Sequence, residues 1–237
     1  MNICHRTHIG LKRPTNQDSL LIEEHLFAVA DGMGGHKGGE TASRMTVDIL
    51  SRMLREKEPD EALLRQAIDA ANRRVRETGK DDSNLTGMGT TMTLLWENPE
   101  RVIVAQIGDS RAYLLRNGEL RQITEDHSVV AELVRKHLIT PKMALESPYR
   151  NVITRAVGTD ASVDADFFEE KPLPGDLWLL CSDGLTNMVT DELLQKVLTE
   201  SESDETAADE LLRLALENGG TDNITFLLAR VPEEARK

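Results

Sequence analysis

The sequence predicts an α+β fold in which antiparallel sheets carry helices on their outer faces. The predicted elements come in groups: strands, two helices, many strands, two helices and a final strand. A parallel, doubly wound sheet would instead alternate strands and helices steadily along the chain. The dipeptide Asn117-Gly118 lies between two apolar runs and is a strong signal for an antiparallel hairpin. With 237 residues, the chain can bury a large core without disulfides.

Apolar runs bounded by glycine, proline and polar turns predict the strands. The first run, residues 26–30, ends at Asp31-Gly32 and leads into a glycine-rich turn over residues 31–39. A later run, residues 177–181, ends in the same way at Ser182-Asp183-Gly184. The predicted strands cover residues 26–30, 90–96, 102–107, 112–115, 120–123, 152–157, 163–168, 177–181 and 224–231.

Apolar residues at helical spacing predict the helices. Asp60 is a suitable N-cap for the second helix, and Gly79 is expected to end it. Because only a short link separates the first two helices, they should pack antiparallel. Residues 141–150 are expected to be irregular. The predicted helices cover residues 41–55, 60–79, 129–138, 191–199 and 207–217.

The chain is acidic, with 28 Lys and Arg residues against 41 Asp and Glu and a net charge of −13. Nucleic acids and anionic membranes bind basic patches, so this charge argues against both as partners. No signal peptide is visible in the first ten residues, and no apolar run approaches the roughly 18 residues of a membrane span. Cys4 and Cys181 are expected to be free thiols. We therefore expect a cytoplasmic protein with no membrane insertion.

Acidic residues follow three of the predicted strands, namely Asp31, Asp109 and Asp183. Asp222 precedes the last strand, and Asp18 lies near the start of the chain. A single aspartate at a strand end is commonly a turn or N-cap residue. Several that converge at one end of the sheets would repel each other strongly and would require cations. Spacing alone leaves both interpretations open.

The donor type favours magnesium or manganese over zinc, because the candidate ligands are oxygen atoms and no histidine pair has zinc-binding spacing. Gly32 lacks a Cβ, so its carbonyl could approach an ion closely. Two such ions bridged by one carboxylate would lower the pKa of a bound water toward neutrality. That arrangement would supply a nucleophile without Ser, Cys or His.

Five short motifs follow one another along the chain, namely Arg13-Pro14-Thr15-Asn16-Gln17-Asp18, Asp31-Gly32-Met33-Gly34-Gly35-His36, Gly108-Asp109-Ser110-Arg111, Ser182-Asp183-Gly184-Leu185 and Asp222-Asn223. In these motifs and their order the chain resembles the metal-dependent (type 2C) protein serine/threonine phosphatases, and most closely their compact bacterial members. The resemblance covers nearly the whole chain, from about Arg13 to Val231. It implies a single domain over residues 1–237, built as a four-layer α-β-β-α sandwich with the metals at one end.

The resemblance also implies a role for each candidate residue and two or three bound Mn²⁺ or Mg²⁺ ions. Asp31 would bridge two metals, and the Gly32 carbonyl would ligate one of them. Asp18 would act on the metal shell through water. Asp183 and Asp222 would hold the second ion, Asp109 would hold a weaker third ion together with Asp183, and Arg13 would bind the substrate phosphate.

The mechanism that the resemblance implies is direct attack of metal-bound water or hydroxide on phosphorus, without a phosphoenzyme. Met33 follows the Asp-Gly pair where eukaryotic members place a histidine near the site, so a metal-bound water or His36 would be the general acid. Asn187 stands where some members have a second aspartate, which weakens the expectation of a third metal. Residues 128–150 match the family's flap, and His127 is expected to anchor it.

The expected function is removal of phosphate from phosphorylated Ser/Thr proteins, among them a cognate Ser/Thr kinase, by a monomeric enzyme. One alternative is a catalytically weak regulatory pseudo-phosphatase or docking module. The retention of the clustered acids and of Arg13 argues against that alternative. A second alternative is a hydrolase of small phosphoesters.

Overall fold

Two antiparallel sheets form the centre of the protein in a computed structural model that describes residues 1–233, apart from the side chains of residues 35–37. The strands are β1 (Asn2–His8), β2 (Asp18–Ile22), β3 (Leu26–Met33), β4 (Gly89–Thr90), β5 (Met92–Glu97), β6 (Val102–Ile107), β7 (Arg111–Arg116), β8 (Glu119–Gln122), β9 (Asp166–Glu170), β10 (Leu177–Cys181) and β11 (Ile224–Arg230). The helices are α1 (Gly35–Leu54), α2 (Glu61–Asp81), α3 (Val129–Arg135), α4 (Pro141–Leu145), α5 (Asp183–Thr186), α6 (Asp191–Glu200) and α7 (Asp204–Glu217).

One sheet has the strand order β1-β11-β10-β7-β8, and the other has the order β2-β3-β5-β6-β9 with β4 paired to β3. Neighbouring strands pair antiparallel in both sheets. The predicted hairpin is present, with β7 and β8 joined through Asn117 and Gly118, which both have positive φ. Consecutive strands along the chain are therefore often neighbours in space, as the grouped element order predicts.

Three apolar cores separate four layers, and alternate residues of each central strand face different cores. On β3, Phe27 and Val29 pack between the sheets, whereas Ala28 and Ala30 belong to the core shared with α1 and α2. On β10, Trp178 lies between the sheets. Residues on its other face pack in the core that contains apolar residues of α6 and α7. The four-layer α-β-β-α sandwich is thus confirmed, and burial on both faces explains the uninterrupted apolar runs.

Helix α2 begins as predicted but runs past its expected end. The Asp60 side chain accepts a hydrogen bond of 2.7 Å from the Leu63 N–H, which confirms it as the N-cap. Gly79 is wrong as a stop, because the helix continues to Asp81. A Cβ at Gly79 would lie 3.0 Å from the Leu85 carbonyl oxygen, so the glycine allows a close approach of the following turn.

Several other sequence expectations need correction. Residues 152–157 are not a strand, since only isolated bridges form there, at Thr90–Val157 and Ser128–Ile153. Residues 35–40 are helical rather than a turn, because Gly39 packs directly against the Gly32 carbonyl and α1 can start early.

The segment over residues 141–150, which was expected to be irregular, contains α4. Strands β1 and β2 were not predicted, because their residues mix polar and apolar types without a clear run. Cys4 and Cys181 are free and buried, as expected.

Gly184→Ala should destabilise the protein strongly. A Cβ at this position would lie 1.9 Å from the Asn223 carbonyl oxygen, and the backbone segments after β10 and before β11 would have to separate. Overpacking of this kind costs about 1–3 kcal/mol, and more where backbone is the obstacle. Urea unfolding measures the loss, with Thr186→Ala in the same short helix as the control. An unchanged midpoint for Gly184→Ala would contradict this contact.

Candidate metal centre

The five predicted acidic residues converge at one end of the sandwich. The sheet topology explains why: the end of β3 meets the start of β2, and the end of β10 meets the start of β11. The turn from β6 to β7 carries the remaining aspartate to the same place. A pocket of about 480 Å³ opens there. Its lining includes Arg13, Asp31, Gly32, Asp109, Asp183 and Asp222.

Asp31 and Asp18 face each other across the β2–β3 pair, where they are register partners. The backbone N–H of Asp31 donates to Thr91 Oγ1 at 2.9 Å, and that hydroxyl contacts Ser110 Oγ at 2.7 Å. Ser182 Oγ donates to Asp18 Oδ2 at 2.9 Å. The last bond joins the residue that follows β10 in one sheet to the start of β2 in the other, and so connects the two groups of acids.

Asp183 has a polar partner on one carboxylate oxygen, whereas Asp222 has one on each, because the Asn223 N–H donates to Asp222 Oδ1 at 2.8 Å. Asn187 Nδ2 donates to Asp183 Oδ2 at 3.0 Å, so this side chain presents its amide nitrogen to the site. Arg13 Nη2 donates to Asp222 Oδ2 at 2.6 Å, and the Arg13 side chain is 52% exposed. Arg13 therefore lies at the rim of the pocket, with part of its guanidinium open to solvent.

Burial and mutual repulsion make these carboxyls reluctant to ionise. Burial raises the pKa of Asp18 to about 7, and that of Asp109 to about 8 with help from the charge of Asp183. Burial, and then the charges of Asp18 and Asp183, raises the pKa of Asp31 well above its usual range. Burial and the charge of Asp222 raise the pKa of Asp183. The cluster thus holds negative charge only at a free-energy cost.

The donor set fits divalent cations. Asp18 Oδ1 and Asp183 Oδ1 are buried and accept no hydrogen bond; the other such side-chain atom in residues 1–233 is Trp178 Nε1 in the apolar core. Buried oxygens without donors are free to ligate an ion. No group of three acidic, histidine or cysteine side chains among the described residues closes on one point. Each ion would therefore complete its shell with carbonyl oxygens and water beside the carboxylates, as Mg²⁺ does.

Gly32 lines the pocket, but a different contact accounts for the glycine. A Cβ there would lie 2.1 Å from the Gly39 carbonyl oxygen of α1 and 2.6 Å from the Gln17 carbonyl oxygen. The missing side chain therefore lets α1 and the chain before β2 pack against the end of β3. This close packing, rather than access for an ion, is the steric reason for glycine at this position.

Asn223 is the main positioning residue that sequence reasoning missed, although the Asp222-Asn223 motif pointed to its neighbour. Its buried Oδ1 accepts from the Gln17 N–H at 2.8 Å. Its Nδ2 donates to the carbonyls of Ile9 and Thr15, both at 2.9 Å. One amide thereby holds both ends of the loop that carries Arg13.

Asn223→Ala should raise KM for a phosphorylated substrate and lower stability. The substitution leaves backbone groups of the Arg13 loop without partners, at a cost of about 1–3 kcal/mol. Asn72 provides a matched control, because its buried amide holds Gly158 and Asp160 in a loop outside the pocket. Asn72→Ala should lose stability with kcat/KM unchanged. Equal kinetic effects of the two variants would contradict the proposed role of Asn223.

His127 is buried outside the pocket and anchors the segment that follows it. Its Nδ1 accepts from the Gly108 N–H at 3.1 Å, and its Nε2 contacts Asp166 Oδ2 at 3.0 Å. Burial lowers the pKa of His127, which favours the neutral ring that can accept this bond. These contacts support the anchoring interpretation of His127. The side chain of His36, the alternative proton donor, lies outside the described residues.

Comparisons with known proteins agree on one family. A family model described as protein phosphatase 2C matches residues 6–217. The serine/threonine phosphatase Stp of Listeria welshimeri is 39% identical over 234 residues, covering 94% of this chain and 93% of the relative. PstP of Mycobacterium tuberculosis is 41% identical over 229 residues, covering 95% of this chain and 44% of that longer protein.

Solved structures of such phosphatases have the same fold. The crystal structure of the Mycobacterium tuberculosis phosphatase PstP superposes with a TM-score of 0.92 at 38% identity, covering 98% of both chains. A structure of the PstP catalytic domain in complex with two manganese ions superposes with a TM-score of 0.89, at 38% identity and 98% coverage of both chains.

Proposed function

The chain belongs to the protein phosphatase 2C family, and on that premise we propose that its acidic pocket removes phosphate from serine and threonine side chains of proteins. The observation that carries the proposal is the cluster of five aspartates, which contains two buried carboxylate oxygens without a hydrogen-bond donor. Relatives that cover nearly the whole chain are named serine/threonine phosphatases, which supports the same activity.

Two divalent cations, Mn²⁺ or Mg²⁺, are the proposed cofactors, because one relative was solved with two manganese ions and the donor set here fits hard ions. Asp31 and the Gly32 carbonyl would hold one ion. Asp31, Asp183 and Asp222 would hold the other, and Asp18 would act on the metal shell through water. When bound, the ions lower the pKa of water to give a nucleophile and neutralise charge on the phosphoryl oxygens. Asp109 and Asp183 would hold a third ion weakly, because Asn187 presents a donor rather than a ligand to Asp183.

Arg13 is the proposed phosphate-binding residue. Its guanidinium lies at the pocket rim and is half exposed, so a substrate can reach it. Its planar fork can donate to two phosphate oxygens at once and stabilise their charge in the transition state. The pKa of Arg13 is raised by its hydrogen bond to Asp222, so the group stays charged. When a phosphate binds, Arg13 can share its donors between Asp222 and the substrate.

The substrates are proposed to be phosphoproteins, including a cognate Ser/Thr kinase, met in the cytoplasm by a monomer whose residues 1–237 form one catalytic domain. The family match over residues 6–217 supports one domain. Two free, buried cysteines are consistent with a reducing compartment. The described residues contain no helix with the length and apolar character of a membrane span.

A phosphothreonine peptide tests the proposed activity directly. Purified protein with Mn²⁺ should release inorganic phosphate, a chelator should stop the release, and fresh Mn²⁺ should restore it. Catalysis without a phosphoenzyme also predicts that no acid-stable phosphate remains on the protein during turnover. Failure to release phosphate with Mn²⁺ present would refute the proposed function.

A further inference from the structure

A second cavity, of about 550 Å³, lies beside the acidic pocket. We call it the flap groove, because residues of α3, α4 and the segment around Arg150 form one wall. Residues of β7, β8 and α5, and of the turns beside them, form the other wall. Apart from Asp109, Asp183 and Asn187, the side chains that line it have no role in the proposed chemistry.

The flap groove continues directly into the acidic pocket. Asp109, Asn151 and Asp183 line both cavities. A polypeptide whose phosphorylated residue enters the acidic pocket therefore has an open path along the groove for its neighbouring residues. The groove is as large as the acidic pocket itself, so several side chains of such a peptide fit inside it.

The flap wall of the groove is apolar and partly exposed. Val130, Val134, Pro141 and Leu145 line it, and Leu145 is 75% exposed. Leu145 is one of five large apolar side chains exposed within residues 138–152, and of these five it is the one that lines the groove. An exposed apolar side chain on the wall of an open groove is available to contact a bound peptide.

The charges in the groove leave one cation without a carboxylate partner. Arg111 pairs with Asp126 at 2.7 Å, and Arg135 pairs with Glu125 at 3.0 Å. Within residues 1–233, no carboxylate forms an ion pair with Arg150. Arg150 adjoins Asn151, which lines both cavities, so its charge is near the entrance to the acidic pocket.

We propose that the flap groove binds the peptide segment next to the phosphorylated residue and selects an acidic side chain at Arg150 and an apolar side chain against Val134 and Leu145. The inference rests on the proposed function and assigns its substrate class. An acidic residue close to the phosphoresidue meets the unpaired guanidinium, and an apolar residue further along covers the exposed flap wall. Binding energy from these contacts raises kcat/KM for the matching peptides.

Phosphothreonine peptides and a small aryl phosphate test this selection together. The peptides differ only at positions flanking the phosphothreonine, with Asp or Lys at the near positions and Leu or Ser at the far ones, on either side. Wild type should prefer the Asp and Leu peptide over the Lys and Ser peptide by about tenfold or more in kcat/KM. Equal rates on all peptides would overturn the proposal.

Matched flap variants locate the selection. Arg150→Glu should reverse the preference between Asp and Lys peptides, whereas Lys142→Glu, a charge reversal in α4 outside the groove lining, should not. Leu145→Ser should remove the preference for Leu, whereas Leu138→Ser, at another exposed position of the same segment but outside the lining, should keep it. Both groove variants should hydrolyse the aryl phosphate at the wild-type rate.

The outcomes separate this proposal from the proposed function. If wild type hydrolyses neither peptides nor the aryl phosphate, the proposed function fails. If it hydrolyses both but the control variants change peptide preference as much as the groove variants do, only the flap groove is refuted. A loss of aryl phosphate hydrolysis equal to the loss on peptides would also refute it, because the variants would then act on the chemistry rather than on peptide binding.

Discussion

Asp31→Asn should abolish phosphatase activity while leaving the metal-free protein at least as stable as wild type. Asparagine keeps the size of the side chain and removes its charge. Asp31 is surrounded by the charges of Asp18, Asp183, Asp109 and Asp222, which together with burial raise its pKa. Removing one member of such a cluster relieves repulsion in the metal-free fold. It also removes the proposed bridge between two cations, so we expect a rate loss of about 10³-fold or more.

Asp176→Asn is the matched control, because it changes a buried aspartate that is paired with an arginine rather than surrounded by other carboxylates. Asp176 is 2% exposed and accepts hydrogen bonds from Arg116 at 2.8 and 2.7 Å. Its neutralisation removes the closer carboxylate of Arg116, which keeps Glu170 at 3.6 Å, and should cost about 1–3 kcal/mol, with activity retained. Urea unfolding in chelator and kcat/KM on a phosphothreonine peptide measure both effects. Full turnover by Asp31→Asn would contradict the proposed bridge.

The metal-free protein should lose stability from the acidic cluster as the pH rises from about 5 to 8. Asp18 has a pKa of about 7 and Asp109 of about 8 in the fold, and both are higher than in an unfolded chain. Below the unfolded pKa the cluster is protonated in both states and carries no penalty. Above it the unfolded chain releases protons that the fold retains, so folding becomes less favourable until the pH passes the folded pKa values.

Thermal unfolding in chelator across this pH range measures the effect. Other groups titrate as well, among them His127, whose lowered pKa acts in the opposite direction. The difference between wild type and Asp31→Asn isolates the contribution of Asp31 and its repulsion of the other carboxyls, and the variant should gain stability relative to wild type as the pH rises. With excess Mn²⁺ the wild type should instead become more stable as the pH rises, because cations bind the ionised carboxylates. A constant difference between the two proteins in chelator would contradict this account.

Sequence reasoning located the acids because their local pattern is strong. Asp31, Asp109 and Asp183 each follow an apolar strand in a turn that the residue types already mark. Whether they meet depends on strand order in the two sheets, and spacing alone left that open. The family resemblance supplied the expected convergence, and the pairing of β2 with β3 and of β10 with β11 gives its geometric basis.

Contacts between distant segments explain what the sequence did not reveal. Asn223 is separated by more than two hundred residues from the loop it holds, and Ser182 by 164 residues from its partner Asp18. The sequence predicts a turn at Gly39 and a helix stop at Gly79, because the helical role of each glycine depends on a neighbouring backbone that only the fold brings near. Strand β1 lies at the edge of its sheet and pairs only with β11, so most of its residues are not fully buried and can be polar. It therefore has no apolar run that would predict a strand.

Calorimetric titration of metal-free protein with Mn²⁺ tests the central claim, that these aspartates together bind divalent cations. The titration is run at pH 7 in two buffers of different ionisation enthalpy, so that proton release can be measured. Wild type should bind at least two ions. It should release protons as it does so, because burial and mutual repulsion raise the pKa of Asp18 to about 7 and that of Asp109 to about 8, and raise the pKa of Asp31 as well. Asp31→Asn should bind fewer ions and release fewer protons, while Asp176→Asn should match wild type. No saturable binding by wild type, or the same binding by Asp31→Asn, would contradict the account.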